Sequence, residues 1–416
     1  MPIIKMRENE LIKLFGPMLV NVNSGEIEIL NKKFREGDKI VIHKVRSYIV
    51  HALKNTELDI NMGPDAQIHS VENNEPYLEW VNTVNEIVDN RYEKIIVLGG
   101  VDCGKSTYSI LLINTSLEKN YKPALIDGDV GQADIGPPGF ISMAYPEQQV
   151  IWMRELKPVS MRFIGDIKPQ YLVGTILLKM KELIGKARED NRYPIVIDTD
   201  GWIGDEYALN YKQKMINEIK PDVIVILGEE YRGLFKKYER IGIKVYELRT
   251  PSVRRVRTRD ERRMLRREKY MEYLGEPRKV SYPLDNIVVY GHPLFYGIEQ
   301  PLKGDINVDI ASKILYLTKS NDTLYLVASA QIRNDVIASL KNIYGVNKVK
   351  IYTEGFERNL YIALSDGFED YPGLIEKIDF RERIIVVKTK YNVESIKWIK
   401  FSNIRLNDEF LEQNMS

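Results

Sequence analysis

The chain has 416 residues, a length that predicts two or three domains rather than one. With 44% hydrophobic and 29% charged residues it has the composition of a soluble globular protein, and a net charge of +1 excludes nucleic-acid binding by the field of the whole molecule. One cysteine, Cys103, excludes an internal disulfide, and the four histidines have no zinc-ligand spacing. No segment is apolar for long enough to span a bilayer, so a cytoplasmic location, or a nuclear one in a nucleated cell, is expected.

The first part of the chain alternates short β-rich runs with turn residues, from Glu10 to about Met62. These runs are LVNV, NSGEIEIL, EGDKIVIHKVRSYIVHAL and TELDINMG, and the pattern is typical of a small all-β domain. The next segment, NNEPYLEWVNTVNEIVDN, has the apolar spacing of a helix. We therefore predict an N-terminal β-rich domain over residues 1–73.

Apolar strand candidates alternate with helical segments over residues 74–282. The strand candidates are KIIVL, PALID, YPIVID, DVIVIL and KVYEL, and their near-continuous apolar character indicates a parallel sheet covered on both faces. After PLDNIVVYGHPLFYG the short strands return, with one helix near Asn334 to Leu340. The sequence thus predicts an α/β protein whose mostly parallel core is flanked by the N-terminal domain and by a C-terminal β-rich domain over residues 283–416.

The stretch VLGGVDCGKST connects the first of these apolar strands to a helix. The phosphate-loop pattern G-x-x-x-x-G-K-[ST] is met by Gly99, Gly104, Lys105 and Ser106. The glycines let backbone N–H groups face phosphate oxygens, and the following helix adds the positive end of its dipole. We expect Lys105 to bridge the β- and γ-phosphates and Ser106 to ligate Mg²⁺. The predicted nucleotide-binding residues are Gly99, Gly100, Val101, Asp102, Cys103, Gly104, Lys105, Ser106 and Thr107.

The stretch ALIDGDVGQADIGPPG places Asp127, Asp129 and Gln132 in a D-x-D-x-G-Q array at the end of the next strand. In an open parallel sheet, the ligand crevice lies outside these strand ends. A carboxylate at this place can orient a Mg²⁺-bound water or accept a proton from an attacking hydroxyl. The alternative is a pair of aspartates with ordinary turn chemistry.

The stretch YPIVIDTDGWIGDE also ends an apolar strand in polar residues. They are Asp198, Thr199, Asp200, Gly201 and Trp202. A tryptophan just past a strand end is well placed to stack on a base or to brace a phosphate. Without the other motifs, a core position would be the more common role of Trp202.

The segment PSVRRVRTRDERRMLRREKYMEYL, residues 251–274, is crowded with arginine. Helical spacing predicts one face that carries Arg255, Arg259, Arg262, Arg263 and Arg266, where like charges repel unless an anion is present. Arginine forks bind phosphate and stabilise the charge of a transferring phosphoryl group. We predict an arginine-rich lid, with a solvated basic helix as the alternative.

In this order, GGVDCGKST, DGDVGQ, TDGW and an arginine-rich lid between two β-rich domains resemble the polynucleotide 5′-hydroxyl kinase family. The family includes a kinase subunit of the eukaryotic mRNA 3′-end cleavage machinery, and the present chain is similar to its compact archaeal members. The D-x-D-x-G-Q and T-x-G-W motifs are much more specific than the phosphate loop. The resemblance implies a P-loop kinase core between the two flanking domains.

The resemblance also implies a role for each motif, with Asp129 as the general base on the 5′-hydroxyl. The implied catalytic residues are Lys105, Asp129, Arg257 and Arg262, and the implied metal ligands are Ser106 and Asp127. The implied substrate-binding residues are Asp127, Gln132, Thr199, Gly201, Trp202, Arg263 and Arg266.

The predicted function is ATP-dependent phosphorylation of the 5′-hydroxyl end of RNA, with Mg²⁺ as cofactor, no membrane partner and DNA as an open second substrate. A catalytically inactive ATP-binding scaffold in RNA processing is the first alternative. A GTP-dependent switch is the second, against which TKSN at Thr318 lacks the final acid of a guanine-reading element. The protein partners and the roles of the two β-rich domains are left open.

Overall fold

The computed structural model describes residues 3–71, 76–303, 308–393 and 395–413. Its internal contacts divide the chain into two compact units. The first unit is Met1–Met161 with Ile167–Arg266, and the second is Arg162–Asp166 with Arg267–Ser416. The predicted domain boundaries at residues 73 and 282 stay predictions. Among the described residues, no helix is both long and apolar enough to cross a membrane.

The N-terminal strands of the first unit form two antiparallel sheets, because short apolar runs alternate with turns at glycine and asparagine. The four-stranded sheet has the order β1-β8-β3-β6 and the five-stranded sheet the order β5-β4-β7-β2-β9. Fully buried side chains such as Leu14, Val20 and Ile27 fill their core. The strands are β1 (Ile3–Met6), β2 (Leu11–Phe15), β3 (Met18–Ser24), β4 (Glu26–Ile29), β5 (Lys32–Arg35), β6 (Lys39–Ile42), β7 (Ser47–Ala52), β8 (Thr56–Met62) and β9 (Gln67–Ser70).

The central region contains one seven-stranded sheet and the helices that cover it. Its elements are α1 (Tyr77–Asp89), β10 (Lys94–Gly99), α2 (Lys105–Glu118), β11 (Ala124–Gly128), β12 (Phe140–Ala144), β13 (Ser160–Phe163), α3 (Val173–Glu189), β14 (Ile195–Thr199), α4 (Glu206–Ile219), β15 (Val223–Leu227), β16 (Lys244–Leu248) and α5 (Arg259–Leu274).

This sheet has the strand order β13-β12-β11-β14-β10-β15-β16. The pairs from β11 to β16 are parallel, and β12 is antiparallel to β11, which confirms the predicted mostly parallel core. The chain crosses from β10 to β11 in one direction and from β14 to β15 in the other, so right-handed crossovers place α2 and α4 on opposite faces. All residues of β10, β11, β14 and β15 are buried, as expected for strands covered on both sides.

The strand order decides which motifs meet. β14 lies between β10 and β11, so Asp198 at its end pairs in register with Asp127 on one side and Val97 on the other. Two motifs that are separated by about seventy residues in the sequence therefore reach the edge where the phosphate loop begins.

The C-terminal strands lie in the second unit and form two further sheets. One has the order β17-β25-β24-β23-β26-β18 with β27 paired to β26, and the other has the order β19-β20-β21-β22. The elements are β17 (Arg278–Pro283), β18 (Val288–Tyr290), β19 (Ile298–Glu299), α6 (Val308–Ala311), β20 (Ile314–Ser320), β21 (Thr323–Ala328), α7 (Asn334–Tyr344), β22 (Lys348–Thr353), β23 (Leu360–Ser365), β24 (Asp370–Asp379), β25 (Ile384–Thr389), β26 (Trp398–Leu406) and β27 (Glu412–Gln413). The helix predicted near Asn334 is α7.

Candidate active site

The phosphate loop connects β10, which ends at Gly99, to α2, which begins at Lys105. Gly104 directly before the helix has a φ of 105°, and Asp102 has a φ of 53°, which aspartate tolerates better than most residues. The buried Lys105 donates a hydrogen bond from Nζ to the carbonyl of Gly100 at 2.7 Å. The carbonyl of Gly100 therefore holds the ammonium group of Lys105 inside the loop.

Ser106 donates from its Oγ to Oδ2 of Asp198 at 2.7 Å. Asp198 is buried at the end of β14, and burial raises its pKa to about 6 although the positive charge of Lys105 opposes the shift. Burial alone would lower the pKa of Lys105, but Cys103, Asp198 and Asp129 raise it, so the lysine stays charged. A serine and a carboxylate at this place are oxygen ligands of the kind that Mg²⁺ takes beside nucleotide phosphates.

The resemblance implied that Asp127 is a metal ligand. In the structure, backbone N–H groups bind its carboxylate. Its carboxylate accepts backbone N–H bonds from Asp134 at 2.7 Å, Ile135 at 3.0 Å and Asp129 at 3.2 Å. Burial raises its pKa to about 8. Both carboxyl oxygens thus hold the turn that carries the D-x-D-x-G-Q motif, and Asp198 is the better placed partner of Ser106.

Asp129 lies on this turn and lines the cavity described below. Its Oδ1 accepts N–H bonds from Gly131 at 3.0 Å and Gln132 at 2.9 Å, which fix the carboxylate in place. Burial and the nearby Asp200 raise its pKa, even though Gln132 and Lys105 favour the ionised form. A raised pKa brings a carboxylate closer to the range in which it can accept a proton efficiently.

The T-D-G-W segment is held by a buried polar network. Asp200 forms an ion pair with the fully buried Lys212 at 2.9 Å and accepts a hydrogen bond from the Tyr211 hydroxyl at 3.0 Å. It also accepts the backbone N–H of Trp202 at 2.9 Å, while Thr199 donates to the carbonyl of Val97 at 2.8 Å. Asp200 therefore fixes the turn that carries Trp202.

Trp202 is oriented by two neighbours. Its Nε1 donates to Asp205 at 2.7 Å, and its ring stacks on Tyr211 with a centroid distance of 5.8 Å. A Cβ on Gly201 would lie 2.9 Å from the backbone nitrogen of Val101, so glycine allows this loop to contact the phosphate loop. The resemblance implied Thr199, Gly201 and Trp202 as substrate-binding residues, and all three line the cavity. We call these three residues the clasp.

Two lid arginines converge on Asp102 of the phosphate loop. Arg257 donates to the Asp102 carboxylate from Nε at 2.8 Å, and its Nη2 lies 2.7 Å from Oδ1. Arg262 donates from Nη2 at 2.8 Å. Burial by itself would raise the pKa of Asp102, but the Arg257 guanidinium and the hydrogen bonds of both arginines hold it below its ordinary value. The carboxylate therefore stays ionised and docks both arginines.

The helix of the lid begins later in the sequence than the arginine spacing predicted. α5 starts at Arg259, so Arg255 precedes the helix and the expected single arginine face is wrong at its first position. The segment before α5 is extended and turn-like and brings Arg254, Arg255 and Arg257 to the cavity. Arg263 and Arg266, which the resemblance placed among the substrate ligands, are not among the residues that line it.

The phosphate loop, the turn of Asp129, the T-D-G-W segment and the start of the lid line one cavity of about 410 Å³ in the first unit. This volume suits a nucleotide-sized ligand. The sequence-predicted residues that line it are Val101, Asp102, Cys103, Gly104, Lys105, Ser106, Thr107, Asp127, Asp129, Gln132, Thr199, Gly201, Trp202, Arg257 and Arg262, while Gly99 and Gly100 lie behind them in the loop.

Several polar atoms in this cavity wall lack a partner. Gln132 Oε1, Arg255 Nε and Arg262 Nε are buried and have no hydrogen-bond partner among the described residues. Unpaired buried polar groups are costly, so the two arginine donors beside the phosphate loop point to an anionic ligand, and the amide oxygen of Gln132 points to a ligand that donates a hydrogen bond.

Sequence reasoning missed one wall of the cavity. Lys13, Arg46 and Tyr48 reach it from the N-terminal sheets, and Arg46 forms an ion pair with Asp134 at 3.0 Å. None of these residues stands in a motif, so no sequence signal could have selected them. Asp198 was visible at the end of an apolar strand, but only the strand order shows that it faces Ser106.

The mostly parallel sheet, the phosphate loop at the end of β10 and the Ser106–Asp198 pair define a P-loop nucleotide-binding protein. Residues 99–276 match the family described as mRNA cleavage and polyadenylation factor CLP1 P-loop. A polyribonucleotide 5′-hydroxyl-kinase of Pyrococcus furiosus is 31% identical to the chain over 328 residues, which are 77% of the chain and 89% of the relative. The chain therefore belongs to the CLP1 P-loop family, which confirms the resemblance seen in the motifs.

Further comparisons agree with this membership. A polyribonucleotide 5′-hydroxyl-kinase of Methanocaldococcus jannaschii is 33% identical over 324 residues, 76% of this chain and 87% of the relative. The solved structure of the wild-type Clp1p-Pcf11p complex matches with a TM-score of 0.64 at 14% identity, over 97% of this chain and 98% of that one. The structural likeness confirms the predicted fold class.

Proposed function

We propose that this chain is an ATP-dependent polynucleotide 5′-hydroxyl kinase that transfers the γ-phosphate of ATP to the 5′-hydroxyl end of RNA. The observation that carries the proposal is the meeting of Lys105, Asp129 and the lid arginines in one cavity. The names of the archaeal relatives support both the reaction and RNA as its substrate. Asp129 lies in the same cavity as Lys105 and is placed to act as a base on an attacking hydroxyl, which favours a transferase over the switch and the scaffold.

Lys105, Arg257 and Arg262 are the residues that would bind the phosphates of ATP at the phosphate loop and balance their charge. Ser106 and Asp198 are the residues that would hold Mg²⁺, which withdraws charge from the phosphates when it is bound. Asp127 is less suited because backbone amides already bind its carboxylate. Gln132 Oε1, buried and unpartnered among the described residues, accepts a hydrogen bond from substrate.

Transfer follows from the placement of these groups. Asp129 accepts the proton of the 5′-hydroxyl while the hydroxyl oxygen bonds to the γ-phosphorus and the bond to the ADP oxygen breaks. Lys105, Arg257 and Arg262 stabilise the negative charge on the transferring phosphoryl group. Trp202, held by Asp205 and Tyr211, stacks on the terminal base and keeps the hydroxyl in line.

The test is transfer of ³²P from γ-labelled ATP to matched 5′-hydroxyl RNA and DNA oligonucleotides. We expect the wild-type protein to label RNA, and Asp129→Asn and Lys105→Ala to lose the activity. Asp89→Asn and Lys220→Ala change exposed side chains outside the cavity and serve as controls with wild-type rates. A wild-type protein that binds ATP and RNA and labels neither strand would support the scaffold instead, and a preference for GTP would support the switch.

A further inference from the structure

Two tyrosines in the first unit are exposed to an unusual degree. Tyr171 is 93% exposed and Tyr207 is 80% exposed, more than any other large hydrophobic side chain among the described residues of that unit. Folding gains almost nothing from burying such rings, since they bury almost no surface. Exposed single hydrophobic residues are common, so the two rings draw attention only through their connection to the candidate active site.

Tyr171 belongs to a loop that forms part of the candidate active site. Pro169, two residues before Tyr171, lines the cavity. The carbonyl of Ile167 lies 2.8 Å from where a Cβ of Gly131 would be, so this loop packs closely on the turn that carries Asp129. Tyr171 thus follows directly from the wall beside the proposed general base.

Tyr207 is connected to the clasp through Asp205. One carboxyl oxygen of Asp205 accepts the indole N–H of Trp202 at 2.7 Å, and the other accepts the backbone N–H of Ala208 at 2.9 Å. The indole of Trp202 and the first turn of α4, which contains Tyr207, are therefore bound to the same carboxylate.

The fold brings these two loops to the same edge of the sheet. α3 leads into β14 and α4 leads into β15, and both strands are parallel to β10. Both helices therefore start at the edge where the parallel strands end, and they pack against each other. Tyr171 lies two residues before the start of α3, and Tyr207 is in the first turn of α4.

We propose that Tyr171 and Tyr207 form an outer stacking site for the bases that follow the 5′-terminal nucleotide of single-stranded RNA. The proposal rests on the kinase function. If the 5′ end of a strand is bound at Asp129, the segments that carry Tyr171 and Tyr207 are the ones next to the cavity along which the strand would continue. Stacking on tyrosine tolerates any base, because every base has a flat aromatic face. The site gives the enzyme affinity for a strand without selecting its sequence.

The experiment compares KM for 5′-hydroxyl RNA of two, four and eight nucleotides. For the wild type we expect KM to fall as the strand lengthens. For the double variant Tyr171→Ala with Tyr207→Ala we expect KM of the eight-nucleotide strand to rise about fivefold or more, as loss of one stacked base predicts. Its KM for ATP and its kcat stay at wild-type values, and its KM for the dinucleotide rises less than its KM for the eight-nucleotide strand, because only one base follows the 5′-terminal nucleotide of a dinucleotide.

Two matched variants complete the design. The double phenylalanine variant keeps the rings and should behave as wild type. Alanine at both Tyr290 and Tyr296, which are 64% and 59% exposed in the second unit, removes two exposed tyrosines elsewhere and should also have no effect. An unchanged KM for the long strand in the Tyr171 and Tyr207 alanine variant, or a wild-type KM that does not depend on length, would overturn the proposal.

A binding measurement separates this proposal from the kinase function. Fluorescence anisotropy of a labelled eight-nucleotide RNA reports affinity whether or not phosphate is transferred. Weaker binding by about fivefold or more in the alanine variant supports the stacking site, and equal binding refutes it. If the wild type labels no strand, the kinase proposal fails while this result still decides the stacking site.

Discussion

Asp102 joins the phosphate loop to the lid, and Asp102→Asn tests that contact with little other change. The carboxylate is 4% exposed and binds Arg257 and Arg262, which are 22% and 30% exposed. Asparagine has nearly the same volume and, like aspartate, tolerates the φ of 53° at this position. The substitution therefore removes the negative charge and leaves the backbone of the loop unstrained.

The free energy lost with the Asp102 carboxylate follows from the hydrogen bonds that it accepts. Hydrogen bonds to charged groups contribute about 1.5 to 3 kcal/mol each, and the asparagine oxygen keeps one acceptor of the original two. Because solvent can partly replace the lost hydrogen bonds of the two arginines, we take the free energy of lid docking to weaken by about 2 kcal/mol. This lowers the equilibrium constant for docking by roughly thirtyfold. We expect kcat to fall by up to that factor. KM for ATP should not rise, since the lost carboxylate repels the phosphates.

The assay is steady-state ³²P transfer, with Asp260→Asn as the control because Asp260 is an exposed acid in the first turn of α5. A double-mutant cycle with Arg257→Ala adds a second readout. If Asp102 acts through the lid, Arg257→Ala costs less in the Asp102→Asn background than in the wild type. Additive effects, or a wild-type kcat for Asp102→Asn, would refute the reasoning.

Three further predictions concern the proton, the metal and the clasp. The raised pKa of Asp129 should move the acid limb of the kcat/KM profile to higher pH than an ordinary aspartate gives, because the base acts only when it is deprotonated. Measuring kcat/KM from about pH 4 to 8 checks this. Asp198→Asn should raise the Mg²⁺ concentration for half-maximal activity about tenfold or more, as an Mg²⁺ titration would measure, whereas an unchanged midpoint would return the role to Asp127. Lys212→Met leaves Asp200 buried without its counter-charge and should lower the free energy of unfolding by about 3 kcal/mol or more in urea, with part regained in Lys212→Met combined with Asp200→Asn.

The sequence specified the local chemistry of the site well. A continuous apolar strand before G-x-x-x-x-G-K-S has few physical solutions other than strand, loop and helix, and β10 and α2 have that form. The alternation of apolar strands with helices likewise predicted the mostly parallel sheet, since such strands must be covered on both faces. The assigned roles of the individual residues stay predictions until they are tested.

Other features depended on which strands become neighbours. Asp127 and Asp198 both end apolar strands, so their patterns are equivalent, and only the position of β14 between β10 and β11 brings Asp198 to Ser106. The N-terminal wall has the same origin, because Arg46 meets Asp134 across 88 positions of sequence without any shared motif. Periodicity reports which face of a strand is buried and does not report which strand lies beside it.

The arginine spacing alone could not show which lid arginines reach the phosphate loop. Arginine is so frequent between residues 251 and 274 that several helical faces are possible. The contacts with Asp102 single out Arg257 and Arg262, and the first of these precedes the helix, where helical periodicity does not apply.

The central claim is that Asp129 takes the proton from a 5′-hydroxyl while phosphate is transferred. The most direct measurement is the single-turnover rate of ³²P transfer to a 5′-hydroxyl RNA by the wild type and by Asp129→Asn, with ATP and RNA saturating. The account predicts a fall of about 10² to 10⁴ in that rate, as removal of a general base gives, with ATP binding unchanged. A rate for Asp129→Asn within a few-fold of wild type would contradict it.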